Sequence, residues 1–172
     1  MLFDKFKRVK AFVFDVDGVL SDGNILVTEH GDQLRSFDIK DGYAMQLAIK
    51  KGYSMAVITG GRSIGVKKRM EGLGITDVYL SVNDKSAALE EWLAYRGLTH
   101  ADILYMGDDI PDLDNMKLAG LPTCPADAVE AVKAISVYVS FCNGGRGAAR
   151  DVIEKVMKLQ NTWHEDLAVA SI

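Results

Sequence analysis

The chain has 172 residues, 48% of them apolar and 26% charged, and a net charge of −4. That length suits one packed domain with a real core, and the composition excludes a disordered chain, a collagen-like repeat and a disulfide-dense miniprotein. The acidic balance disfavours nucleic acid, no apolar run approaches bilayer-spanning length, and two cysteines without metal-type spacing fit a reducing compartment, so a cytoplasmic chain with neither nucleic acid nor membrane as partner is expected.

Short apolar runs alternate with helix-period segments. Residues 10–14 form a brief apolar run ahead of an Asp/Gly loop and read as a buried strand. The segments 53–58, 77–80, Ile103–Met106 and 137–139 read likewise. In 63–73, Val66, Met70 and Leu73 make an apolar stripe, with Gly72 and Gly74 as stop signals. In Lys85–Arg96, Ala88, Trp92 and Tyr95 recur at helical spacing. A last helix precedes a tail at 161–172. This alternation predicts an α/β three-layer sandwich on a mostly parallel sheet, with the functional loops along the sheet's carboxyl edge. One stretch breaks it: residues 24–37, with a Gly31 turn between two short apolar runs, read as a projecting β-hairpin. The whole chain, 1–172, is expected to be one domain carrying this hairpin as a flap.

Four polar clusters follow four of the strands. Asp15-Val16-Asp17-Gly18 places two acids where the backbone leaves the first strand. Thr59-Gly60-Gly61 offers a hydroxyl and unobstructed amides suited to phosphate oxygens, although a turn of that kind also serves as a helix cap. Asp84-Lys85-Ser86 supplies a cation at a helix start. Gly107-Asp108-Asp109-Ile110-Pro111-Asp112 adds three carboxylates, of which Asp109 or Asp112 is also suited to capping the helix near Pro111. So many acids converging on one edge require a cation, and hard oxygen ligands favour Mg²⁺ over zinc.

Taken in order, these clusters resemble the haloacid dehalogenase-like phosphohydrolases over almost the whole chain. The narrower set Asp15-Val16-Asp17-Gly18-Val19-Leu20-Ser21-Asp22-Gly23, Ile39-Lys40-Asp41-Gly42-Tyr43, Ile58-Thr59-Gly60-Gly61-Arg62 and Gly144-Gly145-Arg146-Gly147 is similar to the capless 3-deoxy-D-manno-octulosonate 8-phosphate (Kdo-8-phosphate) phosphatases. Some of those carry arginine directly after Thr-Gly, whereas here Gly61 intervenes and Arg62 follows.

The resemblance implies a Mg²⁺-dependent phosphoric monoester hydrolase that acts through an aspartyl-phosphate, with the hairpin in place of a cap domain and four identical subunits. It implies Asp15 as nucleophile, Asp17 as proton donor and acceptor, and Thr59 and the Gly60 amide on the phosphoryl oxygens. Lys85 would offset their charge. The metal would be held by Asp15, the Asp17 carbonyl and Asp108, with Asp109 outside the direct ligands and Asp112 beside Lys85 or supporting the loop. A sugar-acid phosphate also carries a carboxylate, for which Arg62, Arg69 and Arg146 are candidates. Asp22 and Lys40 are candidates for sugar hydroxyls, and the tail for a lid over a neighbouring site. Two other readings stand beside this one. A nine-carbon sugar acid is an alternative substrate. A signalling receiver domain shares the phosphorylated Asp, Mg²⁺, Thr and Lys, but needs an Asp at the tip of a middle strand, where this chain has Leu80-Ser81-Val82-Asn83.

Overall fold

The structure, a computed structural model, describes residues 1–164 and 166–169. Six strands form one sheet in the order β5-β4-β1-β6-β7-β8, every neighbouring pair parallel. They are β1 (Ala11–Phe14), β4 (Ser54–Ile58), β5 (Asp77–Tyr79), β6 (Ile103–Met106), β7 (Leu121–Cys124) and β8 (Tyr138–Val139). Strand β1 lies mid-sheet with all four side chains buried, as a strand covered on both faces must. Its alternate residues feed two cores. Phe12 and Phe14 pack with helices α1 (Leu2–Arg8), α2 (Ile39–Lys50), α3 (Ile64–Gly72) and α7 (Ala148–Leu159). Ala11 and Val13 pack toward α4 (Lys85–Arg96), α5 (Leu113–Leu118) and α6 (Glu130–Ile135), where Trp92 is fully buried and its indole N–H donates to Asp77 at 2.6 Å.

Strand β7 has no counterpart among the sequence expectations. Pro122 sits inside it, opposite Tyr105, in a run that does not read as a central strand. The sheet accommodates it because the Pro122 carbonyl accepts from Val137 N–H at 2.9 Å, and the Thr123 hydroxyl donates to the Tyr105 carbonyl at 3.2 Å.

The hairpin is present but shorter than the sequence runs: only β2 (Leu26–Val27) and β3 (Gln33–Leu34) pair, antiparallel, and a single bridge joins Ser21 to Phe37. Its apolar side chains face outward, with Leu26 68% and Val27 61% exposed. The described part of the tail lies along α2 and α7. Trp163 meets Tyr43 edge-on, Asp166 bonds Tyr43 and Lys50, and Val169 packs on the core. Residues 165 and 170–172 of the expected lid are outside the described set. No described helix is long and apolar enough to cross a membrane, and both cysteines are free.

The register positions the site. Phe14 is level with Val57 on one side and Met106 on the other. Asp15 and Thr59, which directly follow their strands, and Asp108, two residues past β6, therefore emerge at one edge. The chain runs from β1 outward to β4 and β5, then crosses back to β6, so Asp15 and Asp108 flank the point where the winding reverses. In parallel α/β sheets that is where a crevice opens.

Candidate active site

A cleft of about 920 Å³ opens at this edge, lined by Asp15, Asp17, Thr59, Gly60, Lys85 and Asp108, with Asp109 at its rim. Lys85 owes its position to Asp84, whose carboxylate caps α4 by accepting from the Ser86 and Ala87 amides at 3.0 Å each. From the first helical position, Lys85 Nζ reaches Asp15 Oδ2 at 3.0 Å and Asp112 Oδ1 at 2.8 Å. Asp112 is fully buried and engaged throughout: Tyr105 O–H donates to Oδ1 at 3.0 Å, and the Asp108 amide to Oδ2 at 3.4 Å. Asp109 caps the short turn Ile110–Asp112 through the Ile110 amide at 2.7 Å.

Carboxylate oxygens of Asp15, Asp108 and Asp112 lie within 4.8 Å of one another. Asp112 spends its oxygens on protein donors, but Asp15 Oδ1 and Asp108 Oδ1 are buried with no hydrogen-bond partner. Two orphaned acceptors on adjacent strand tips, unsatisfied by the protein, are what a hard divalent cation needs. Burial, then the Asp112 charge, pushes Asp15 up to about 7 despite Lys85. Burial, then Asp15 and Asp112, pushes Asp108 up to about 7. Burial works against the charge on Lys85, but Asp15 and Asp112 outweigh it and its pKa is raised.

The loop after β1 reaches Asp108 because of Gly18. Its φ is +84°, and a Cβ there would overlap the Asp108 carboxylate. Behind it, the Gly144 backbone is so close to the Gly18 carbonyl that a Cβ would not fit, and the Gly145 amide donates to the Val19 carbonyl at 2.8 Å. The Gly144–Gly147 stretch thus buttresses the Asp15 loop. Thr59 is buried at the cleft wall, and its hydroxyl oxygen accepts from the Gly61 amide at 3.1 Å.

The other sequence candidates lie elsewhere in the single chain. Lys40 and Arg146 line a separate basin of about 400 Å³ with Arg150 and Lys155. Arg146 pairs with Asp22 at 3.0 Å, and Arg69 lines a narrow crevice beside Asp38 and Asp41. Arg62 is exposed and not part of the cleft wall. One cation escaped the sequence reading. Arg35, on the flap just past β3, grips Asp17 with both arms, Nε to Oδ1 at 2.5 Å and Nη2 to Oδ2 at 3.0 Å. Its only trace in the sequence is that it is the sole basic side chain among the Asn24–Ser36 residues apart from His30. Carboxylates outnumber cations here: Asp15, Asp17, Asp108 and Asp112 meet Lys85 and Arg35, and Asp109 adds a further acid at the rim, an excess that favours a bound cation.

No protein-family model matches the chain. Individual proteins do. It is 34% identical over 161 residues to the Escherichia coli K12 3-deoxy-D-manno-octulosonate 8-phosphate phosphatase KdsC, covering 94% of this chain and 86% of that one. It is 35% identical over 154 residues to the Yersinia pestis enzyme of the same name, covering 90% and 82%. The chain belongs to the Kdo-8-phosphate phosphatase family. Crystal structures agree on the haloacid dehalogenase-like fold of that family. The Y. pestis phosphatase superposes with a TM-score of 0.91 at 34% identity, covering 94% of this chain and 87% of that one. The Moraxella catarrhalis phosphatase superposes at 0.90 and 36%, covering 93% and 92%, and was solved with a magnesium ion, a phosphate ion and a KDO molecule.

Proposed function

We propose that this chain hydrolyses Kdo-8-phosphate to Kdo and phosphate with Mg²⁺, through an aspartyl-phosphate on Asp15. The observation that carries the chemistry is the pair of orphaned oxygens on Asp15 and Asp108 beside Lys85. The substrate comes from the relatives, which are named for the eight-carbon sugar acid; the nine-carbon and receiver readings find no support among them.

Asp15 and Asp108, with the Asp17 carbonyl, would hold Mg²⁺, which when bound offsets the charge of the phosphoryl group. Burial raises Asp15 to about 7, and such a cation would favour its ionised form, which attacks without a separate deprotonation. An Asp15 oxygen forms a bond to phosphorus as the bond to the sugar oxygen breaks, and the departing oxygen takes its proton from Asp17. Water then attacks phosphorus, gives a proton to Asp17, and Asp15 leaves as a carboxylate with phosphate released. Thr59 and the Gly60 amide hold phosphoryl oxygens, and Lys85 screens them from Asp15. Asp112 keeps Lys85 in place, and Asp109 shapes the loop that carries Asp108.

Asp22, Lys40, Arg62, Arg69 and Arg146 remain the candidates for the sugar acid. Asp22 and Arg62 adjoin the cleft-lining Gly23 and Gly61, whereas Lys40, Arg69 and Arg146 line other pockets, and we read those three as acting across a subunit boundary. The outward apolar flap supports self-association, read here as a homotetramer. The free thiols support the cytoplasmic assignment. The test is phosphate release from a panel of sugar phosphates and sugar-acid phosphates with Mg²⁺ and with chelator. Highest kcat/KM on Kdo-8-phosphate, abolished by chelator and by Asp15→Asn, is expected. Turnover by Asp15→Asn with Mg²⁺ would overturn the mechanism, and preference for another sugar acid would overturn the substrate.

A further inference from the structure

The flap is exposed along most of its length, yet Arg35 is not: its side chain is only 5% exposed, whereas its neighbour in the chain, Leu34, is 50% exposed. A long cation is held under the flap by the Asp17 carboxylate, in a two-armed pairing with a charge-assisted bond to each oxygen. The remaining arm, Nη1, donates to the Gln33 carbonyl at 3.3 Å and ties the guanidinium to the flap's own backbone. Gly61, which lines the cleft, has room beside it for this arrangement. A Cβ at Gly61 would stand 3.5 Å from both Arg35 Nη2 and Asp17 Oδ2, at ordinary contact distance, so this residue borders the pair.

Each carboxylate oxygen has two lone-pair sites, and Arg35 takes one on each. Asp17, which lines the cleft, therefore keeps a further site on each oxygen while its plane is fixed. We infer that Arg35 is a positioning residue for leaving-group protonation: the flap, through Arg35, sets the direction in which Asp17 presents its proton. This rests on the reading of Asp17 as proton donor. The proton still passes from Asp17 to the departing sugar oxygen as the phosphorus–oxygen bond breaks, and Arg35 contributes orientation only.

The consequence is a dependence on the leaving group. A sugar alkoxide needs a proton to depart and p-nitrophenolate does not, and kcat/KM reports only the steps up to departure. Arg35→Gln should lower kcat/KM for Kdo-8-phosphate by about 10–100-fold, a part of the 10²–10⁴ that general acid catalysis supplies. It should lower kcat/KM for p-nitrophenyl phosphate by less than about 3-fold, since that route bypasses the acid. Arg35→Lys, which keeps the charge but not the fork, should fall between wild type and Arg35→Gln, and guards against a Gln variant that fails to fold. Asp17→Asn measured on both substrates separates the two readings. If Asp17→Asn loses equally on both, the acid role of Asp17 falls and the Arg35 inference with it. If Asp17→Asn discriminates but the Arg35 variants lose equally on both or lose nothing, Arg35 is a structural tie and the inference alone is overturned.

Discussion

Lys85 Nζ stands 3.0 Å from Asp15 Oδ2 in a pocket where each side chain is 11% exposed. A cation held this closely between Asp15 and Asp112 supports the fold and the chemistry together. Lys85→Met should lower kcat by at least about 100-fold, because under the proposed mechanism Asp15 then meets an anionic phosphate without its screen. Removing one member of a buried pair costs about 3–5 kcal/mol where desolvation is complete, and this open-edged site should sit at the low end. Steady-state phosphate release and thermal denaturation read the two effects separately.

Acid–base linkage gives the metal a stability signature. Asp15 and Asp108 titrate near 7 in the fold, against an ordinary carboxylate value of 3.8. A raised carboxyl pKa means that the folded state holds protons which the unfolded chain has released. The stability this brings is complete below about pH 4 and is lost as pH rises to about 7. In chelator, the melting midpoint should therefore fall across that window. Added Mg²⁺ should restore it most at pH 7 and above, each kcal/mol recovered raising the midpoint by about 2–4 °C. A chelated protein whose midpoint climbs from pH 4 to pH 7 would contradict this.

Asp41 makes a second pH-dependent prediction far from the metal. Buried at 2% exposure on α2, it accepts from the Gly147 amide at 3.2 Å and the Arg150 amide at 2.7 Å, and so caps α7. Burial raises it to about 6, partly offset by the Arg150 amide, while Asp38 raises it further and the Arg150 charge opposes. Asp41→Asn should destabilise by about 1–2 kcal/mol through the weakened cap. The wild-type protein loses some stability as Asp41 ionises between about pH 4 and 6, and the variant has no such group. The gap between them should therefore narrow as pH rises through that interval, which paired urea titrations at pH 4.5 and 7 measure.

The flap predicts assembly. Leu26 and Leu34 lie cross-strand from one another and are largely exposed, so charge there spares the monomer's core. Leu26→Glu with Leu34→Lys should leave the circular dichroism spectrum intact and shift the mass by light scattering toward the monomer. Under the proposal that Lys40, Arg69 and Arg146 act across a subunit boundary, KM for Kdo-8-phosphate should rise with dissociation. An unchanged mass would remove the flap from the subunit interface.

The sequence made the carboxyl edge of the sheet legible because acids at strand tips are local signals. Strands β1, β4 and β6 were marked by short apolar runs, and α4 by its stripe from Lys85 to Arg96. What stayed hidden depends on partners distant in the chain. Strand β7 carries Pro122, and only its neighbours β6 and β8 make a proline acceptable there. Arg35 gives no local cue, since its meeting with Asp17 follows from how the flap folds back over the edge. The placement of Lys40 and Arg146 is likewise a tertiary fact: the Gly144–Gly147 stretch backs the Asp15 loop, yet the Arg146 side chain lines a basin with Lys40 and not the cleft.

The glycine contact behind Asp15 has a consequence for the order in which this protein becomes competent. Gly18 is set by a backbone segment some 126 residues downstream, and the Val19 carbonyl waits for the Gly145 amide. Strands β1, β4 and β6 all precede that segment in the chain, so the central pairing of the sheet does not itself supply this support. The loop that carries Asp15 therefore has its backing only once the Gly144–Gly147 stretch has docked, and under the proposed mechanism a chain with that stretch displaced should not turn over phosphate esters.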